Sequence, residues 1–279
     1  MFISEDLDYF DSDRERAIPV RLWRPQGQPR AWVLFSVGFG GDRNGYAYLA
    51  KGWASVGIAT AVVEHVGSNR DVLKALPGPT RQERNRQVVA KVADPDELAA
   101  RPRDLLFVYE RLHSEFTGLP LGLAGHSYGT YTALSALGLP TVPKLPALSS
   151  PLGGASSVLI ISPQPPGMLF SPRAYGLVAI PTLVLTGTKD TRLDGEGSYR
   201  ERVEVYDHLP SALRQLAVLD SVEHMDFAGI GLGLEKRLRT ITQVTTEWWE
   251  TTLWGSLAPI ARAERLLSAG GSEVPGEYR

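Results

Sequence analysis

The chain reads as a mostly parallel β-sheet with helices packed on both faces. Three observations predict this. Short, nearly continuous apolar runs at residues 31–37 and 58–64 have the pattern of strands covered on both sides. Helical stretches with their own start and stop signals fall between such runs. No repeat, low-complexity tract or linker divides the 279 residues, so a single domain over 1–279 is expected.

The elements follow in order. Residues 18–24 alternate apolar and polar side chains, as in a strand toward one side of the sheet. After the strand at 31–37 comes a glycine-rich loop, Gly38 to Gly45, then a helix at 46–55 that Gly57 terminates. Residues 58–64 form another buried strand. The 67–93 segment is polar and proline-containing, and its charge run Arg81 to Arg86 suits a solvated helix face. Asp94 is a natural N-cap with Pro95 at the first helical position, opening a helix to about His113 that Pro102 kinks or restarts. A strand at 119–124 and a helix at 127–137 come next, then a loop rich in Pro, Gly and Ser at 138–155. Strands at 157–161 and 182–186 flank a proline-rich connection. A helix at 198–208, a strand at 213–219 and a helix at 234–253 complete the series. Trp248, Ile241 and Val244 on that last helix are expected to pack on the sheet rather than touch a membrane.

Composition excludes several classes. Hydrophobic residues make up 43% and charged residues 22% of the chain, too apolar for a disordered protein. There is no cysteine, hence no disulfide, thiolate metal site or cysteine nucleophile. A net charge of −2 leaves no electrostatic footprint for nucleic acid. The apolar runs fall far short of the roughly 18 residues a membrane span needs. Glu5, Asp6, Asp8 and Asp11 follow the start directly, where a secretory leader needs positive charge and then apolar residues, so a cytoplasmic location is expected.

In open α/β sheets, chemistry lies at the carboxyl ends of the strands. There Gly125-His-Ser-Tyr-Gly129 joins a strand to a helix, the context in which G-x-S-x-G marks a nucleophile elbow rather than a plain turn. It makes Ser127 the candidate nucleophile. Of the five histidines, His224 follows the last strand and comes after the serine, as a base should in this fold. His113 and His208 read as surface or packing residues, and His126 should point away from Ser127. Asp190, at the end of Thr182-Leu-Val-Leu-Thr-Gly-Thr-Lys-Asp190, is the candidate acid, with Asp194 as rival and Asp220 and Asp226 more distant. The Tyr128 amide at the helix start and the Phe39 amide in Gly38-Phe-Gly-Gly41 are candidate oxyanion donors, although those glycines also suit a tight turn. Gly40 and His65 are candidates to line the substrate pocket. His65 equally suits a histidine that caps its strand and packs. No HxH, HExxH or His/carboxylate cluster appears, so no metal is expected.

On these segments the chain resembles the α/β-hydrolases over nearly its whole length. More narrowly it is similar to the branch of dienelactone-hydrolase-like proteins and platelet-activating-factor acetylhydrolases. The resemblance rests on Val33-Leu-Phe-Ser-Val-Gly-Phe-Gly-Gly41, Glu64-His-Val-Gly-Ser-Asn69, Gly125-His-Ser-Tyr-Gly129, Ile161-Ser-Pro-Gln164 and Pro181-Thr-Leu-Val-Leu-Thr-Gly187 with Asp190. It implies a cofactor-free esterase with Ser127, Asp190 and His224 as its triad and the Phe39 and Tyr128 amides in the oxyanion hole. Two departures stand out. Relatives often carry a loop-bracing His-Gly where this chain has Val37-Gly38, and many have Asp where it has Glu64. The short 161–181 connection implies little or no cap domain, leaving the loops at 67–93 and 138–155 to cover the site. The expected substrate is a small-molecule ester with a small to medium acyl group. An acyltransferase with the same triad and a non-catalytic binding scaffold are the alternatives.

Overall fold

An antiparallel hairpin opens the fold: β1 (Phe2–Asp11) pairs with β2 (Arg16–Pro25) along its full length. The computed structural model describes residues 2–192 and 197–255. Four of the ten β1 side chains are acidic, and arginines answer them. Arg21 Nε meets Asp6 Oδ1 at 2.7 Å, Arg43 Nη1 meets Asp8 Oδ1 at 2.5 Å, and Arg24 pairs with Glu5. This strand was not expected, because Asp and Glu carry low strand propensity; pairing with β2 overrides it. The strand at 18–24, now β2, accordingly lies one place in from the sheet's end.

The remaining strands are β3 (Ala31–Ser36), β4 (Ile58–Val63), β5 (Leu121–His126), β6 (Ala155–Ile161), β7 (Thr182–Lys189) and β8 (Arg214–Glu223). They complete an eight-stranded sheet ordered β1-β2-β4-β3-β5-β6-β7-β8, parallel from β4 through β8. Side chains alternate between its faces. Val33 and Phe35 of β3 enter one core, Trp32 and Leu34 the other.

Helices α1 (Ala47–Ser55) and α8 (Glu235–Trp254) cover the first face, with Trp53, Ile241, Val244, Trp248 and Trp249 buried there. Between α1 and α5 the chain forms a 3-10 turn at Val66–Ser68, α2 (Arg70–Ala75), α3 (Arg81–Val92) and α4 (Pro95–Leu112). Then come α5 (Tyr128–Ala136), α6 (Pro172–Tyr175) and α7 (Arg200–His208). Leu98, Leu105, Tyr128, Tyr131 and Val205 from this group pack on the second face.

Asp94 caps α4 through the Asp96 amide at 3.0 Å. Pro102 neither breaks nor restarts the helix. It lacks the N–H that would reach the Leu98 carbonyl, and the Tyr131 hydroxyl donates there instead at 2.8 Å. The 138–151 segment lies against α4 and α5. It borders an open pocket of about 540 Å³ lined by residues including Leu98, Pro102, Tyr131, Leu139 and Leu145. Among the described residues no helix is long and apolar enough to cross a membrane.

Candidate active site

Ser127 sits between β5 and α5 with φ 52° and ψ −121°, a conformation L-residues rarely adopt. Neighbouring backbone forces the motif's composition. A Cβ on Gly125 would lie 2.1 Å from the Gly129 carbonyl oxygen, and one on Gly129 would lie 2.0 Å from the Ser36 carbonyl oxygen. Only glycine lets strand, turn and helix approach this closely. The Ser127 amide donates to the Ile161 carbonyl at 2.8 Å, and Thr130 Oγ1 donates to the Ser127 carbonyl at 2.8 Å. The turn is therefore tied to β6 and to its own helix.

Asp190 ends the turn after β7 and is fully buried. His224 opens a 3-10 turn, His224–Ala228, after β8, with its side chain 13% exposed. The two meet across 34 residues of chain, His224 Nδ1 to Asp190 Oδ1 at 2.9 Å. Thr186 Oγ1 donates to the other carboxylate oxygen at 2.8 Å. Burial pushes the Asp190 pKa up. The His224 hydrogen bond and charge, the Arg202 charge and the Ser162 hydroxyl outweigh it and hold the value at about 2.

Two further groups crowd His224 Nδ1: Ser162 Oγ at 2.8 Å and Arg202 Nη2 at 3.4 Å. Ser162 has φ 53°, and Arg202 donates to the Ser162 and Pro163 carbonyls at 3.3 and 2.7 Å. No local sequence signal marks Arg202, which reaches the site from α7. Ser162 follows the apolar end of β6, the one hint in its pattern.

The other acids do different work. Asp226 accepts from the Glu223 amide at 2.8 Å and meets Arg237 Nε at 3.0 Å, holding the turn that carries His224. Asp220 accepts from Thr188 Oγ1 at 3.2 Å. Asp194 lies outside the described residues. His126 is buried, with Nδ1 2.8 Å from the Tyr46 hydroxyl and its ring centroid 4.8 Å from that of His224. This contact sets His224 against the residue preceding Ser127. Burial and the His224 charge push the His126 pKa well down.

The Phe39 amide has no hydrogen-bond partner among the described residues, whereas its neighbours are tied. Gly38 N–H donates to the Tyr46 hydroxyl at 3.2 Å and Gly40 N–H to the Ser68 carbonyl at 2.8 Å. Val37 accepts from Arg101 Nη2 at 2.5 Å. The loop is thus held from three directions. Glu64 accepts from the Arg43 amide at 3.0 Å and from Asn69 Nδ2 at 2.7 Å, joining the same loops.

His65 does not line an opening. It is fully buried, with Nε2 2.9 Å from Ser36 Oγ and Nδ1 2.9 Å from Asp104 Oδ2. No substrate carboxylate reaches it; it packs. Burial first and the Arg101 charge second pull its pKa down to about 3. The neutral ring therefore donates from Nδ1 to Asp104 and accepts at Nε2 from Ser36. Gly40, by contrast, is half-buried in the loop beside Phe39. Among the described residues no group of three or more His, Asp or Glu is placed to hold a metal ion.

Two antiparallel strands leading into a parallel sheet of this order, with a strained serine turn after β5, define the α/β-hydrolase fold, and the chain has that fold. Solved structures resemble it over most of its length. Dienelactone hydrolase from Anabaena variabilis ATCC 29413 matches with a TM-score of 0.55 and 19% identity, covering 90% of this chain and 99% of that one. A cold-adapted esterase from an Arctic intertidal metagenomic library matches with a TM-score of 0.56 and 16% identity, covering 87% and 93%. Among curated proteins, the monoglyceride lipase homolog of Monkeypox virus is 27% identical over 139 residues. That match spans 50% of this chain and 44% of the viral protein, less than half its length. No protein-family model matches the chain.

Proposed function

We propose that the protein is a serine hydrolase of carboxylic esters, akin to the dienelactone-hydrolase-like branch of its fold. The observation that carries this reading is the 2.9 Å bond from His224 Nδ1 to the buried Asp190, on a ring packed beside the Ser127 elbow. The esterase, dienelactone hydrolase and lipase homolog among its relatives support it.

Asp190 holds the Nδ1–H tautomer, leaving Nε2 free as the base. Ser127 Oγ adds to the ester carbonyl carbon while its proton passes to His224 Nε2. The carbonyl π pair moves onto oxygen, where the Phe39 and Tyr128 amides receive it. Collapse of the adduct expels the alkoxide, which takes the proton from His224, and leaves an acyl-enzyme on Ser127. Water then repeats the sequence and releases the acid. The connection from β6 to β7 holds only the four-residue α6, too little for a large cap, and this fits small to medium acyl groups.

A fluorophosphonate probe tests this directly. It should label Ser127 in the wild type and leave Ser127→Ala unlabelled. The variant should lose roughly 10⁴–10⁶ in kcat on p-nitrophenyl esters while keeping its fold. Near-normal turnover by folded Ser127→Ala would sink the proposal. Added alcohol that captured most of the acyl group would make the enzyme a transferase instead.

A further inference from the structure

Arg101 lies in the middle of α4, is fully buried, and has no carboxylate within ion-pair distance among the described residues. Burial lowers its pKa to about 10, so it stays charged at neutral pH. A buried cation needs all its donors occupied. Arg101 spends them on the segments around Ser127. Nη2 donates to the Val37 carbonyl at 2.5 Å and to Ser36 Oγ at 3.2 Å. Nη1 donates to Ser68 Oγ at 2.7 Å, and Nε to Thr132 Oγ1 at 2.8 Å. Its guanidinium carbon lies 4.2 Å from the centroid of the Tyr128 ring.

These contacts converge on the two backbone amides assigned to the oxyanion. Phe39 is two residues past Val37, and the next residue, Gly40, is bound to the Ser68 carbonyl at 2.8 Å. Tyr128 carries the second amide, and its ring lies under the guanidinium. One side chain therefore bridges both sources of donor. Behind it, Ser36, His65 and Asp104 form a buried chain of hydrogen bonds with the residue types of a catalytic triad. With no access to solvent, this chain can only orient Ser36 Oγ to accept from Arg101.

We infer that Arg101 is a positioning residue for ester hydrolysis: it fixes the Phe39 loop against the start of α5, so that both amides meet the oxyanion together. This rests on the proposed esterase reading. A group acting this way stabilises the transition state far more than the bound ester.

The test compares wild type with Arg101→Met, Arg101→Lys and Ser68→Ala, using full-length protein and circular dichroism to confirm folding. A trifluoromethyl ketone serves as probe. Ser127 Oγ adds to its carbonyl carbon, the hydroxyl proton moves to His224, and the resulting oxyanion needs the same two amides. Arg101→Met should lower kcat about 10- to 100-fold with KM changed by less than about threefold. The ketone Ki should rise by the factor by which kcat/KM falls. Arg101→Lys, with one compact donor group, should recover part of the loss. Ser68→Ala should show the same proportionality at about five- to tenfold, and it decides the matter if Arg101→Met does not fold. Folded variants with wild-type kcat/KM, or with a loss confined to KM and an unchanged ketone Ki, overturn the inference. Wild-type protein that neither takes up a fluorophosphonate nor hydrolyses esters overturns the esterase reading with it. Labelled wild type with ketone affinity unchanged in the variants overturns the positioning role alone.

Discussion

Arg202 Nε lies 2.9 Å from Asp190 Oδ1, the same oxygen that meets His224 Nδ1. The Nε–H is not aligned for a hydrogen bond, so the contact is one of charge. The other guanidinium nitrogens are anchored on the Ser162, Pro163 and Thr191 carbonyls. Arg202→Met leaves a buried carboxylate short of its cation and those carbonyls short of donors. The expected cost is about 2–4 kcal/mol of unfolding free energy. Urea denaturation of the variant checks it, and a loss under about 0.5 kcal/mol would show that His224 and Thr186 alone satisfy Asp190.

Asp190→Asn should keep the packing and lower the esterase rate by roughly 10⁴, because the amide favours the wrong imidazole tautomer. Asp226→Asn should act only through a looser turn beneath His224 and cost far less. Steady-state kinetics on one p-nitrophenyl ester separates the two. A reversed order would move the acid to Asp226.

His65 gives the fold a sensitivity to acid. Its pKa is about 3 when folded against 6.5 in the open chain, so the unfolded state binds the extra proton between these values. The stability tied to neutral His65 is complete above about pH 6.5 and shrinks as pH falls toward 3. At about 1.4 kcal/mol per unit, some 2 kcal/mol is lost by pH 5. Asp190, held at about 2 against 3.8, adds a loss of the same sign only below about pH 4. Unfolding free energies from pH 8 to 5 should therefore fall in the wild type and fall less in His65→Gln. Equal slopes would place the acid sensitivity elsewhere.

The Pro102–Tyr131 arrangement supports a double-mutant cycle. Tyr131→Phe removes the hydroxyl that donates to the Leu98 carbonyl and should cost about 1–3 kcal/mol. Pro102→Ala supplies an N–H one helical turn on, aimed at the same carbonyl. In the double variant that N–H replaces the hydroxyl, so the combined cost should be about 1 kcal/mol less than the sum. Strict additivity would mean the carbonyl is satisfied some other way.

Local signals carried much of the candidate site. The glycines around Ser127 are demanded by backbone four or five residues away or by the strand next door, so the spacing itself is informative. Asp190 and His224 each come directly after a strand, β7 and β8, at the sheet's carboxyl edge. Arg202 and Arg101 gave no such sign. They reach the site from helices α7 and α4 through contacts spanning 12 to 65 residues, and an arginine in a helix looks like solvated surface until the fold buries it. His65 was legible as a strand-end histidine, but its direction was not, because Asp104 and Ser36 lie 39 and 29 residues off. The β1 strand was hidden by its own acidity.

That acidity has a consequence beyond the hairpin. β1 pairs with β2 on one side only, leaving the backbone donors and acceptors of every second residue facing outward. Such a ribbon is the place where sheets grow by recruiting another chain. Glu5, Asp6, Asp8 and Asp11 put carboxylates along this one, so a second copy laid antiparallel would bring acid against acid at strand spacing. The arginines that balance these charges come from β2 and from the loop before α1, on the molecule's own side. The β1 edge is thus self-repelling, and charge reversal there, as in Asp6→Lys with Asp8→Lys, would let it pair with the acidic edge of an unaltered copy.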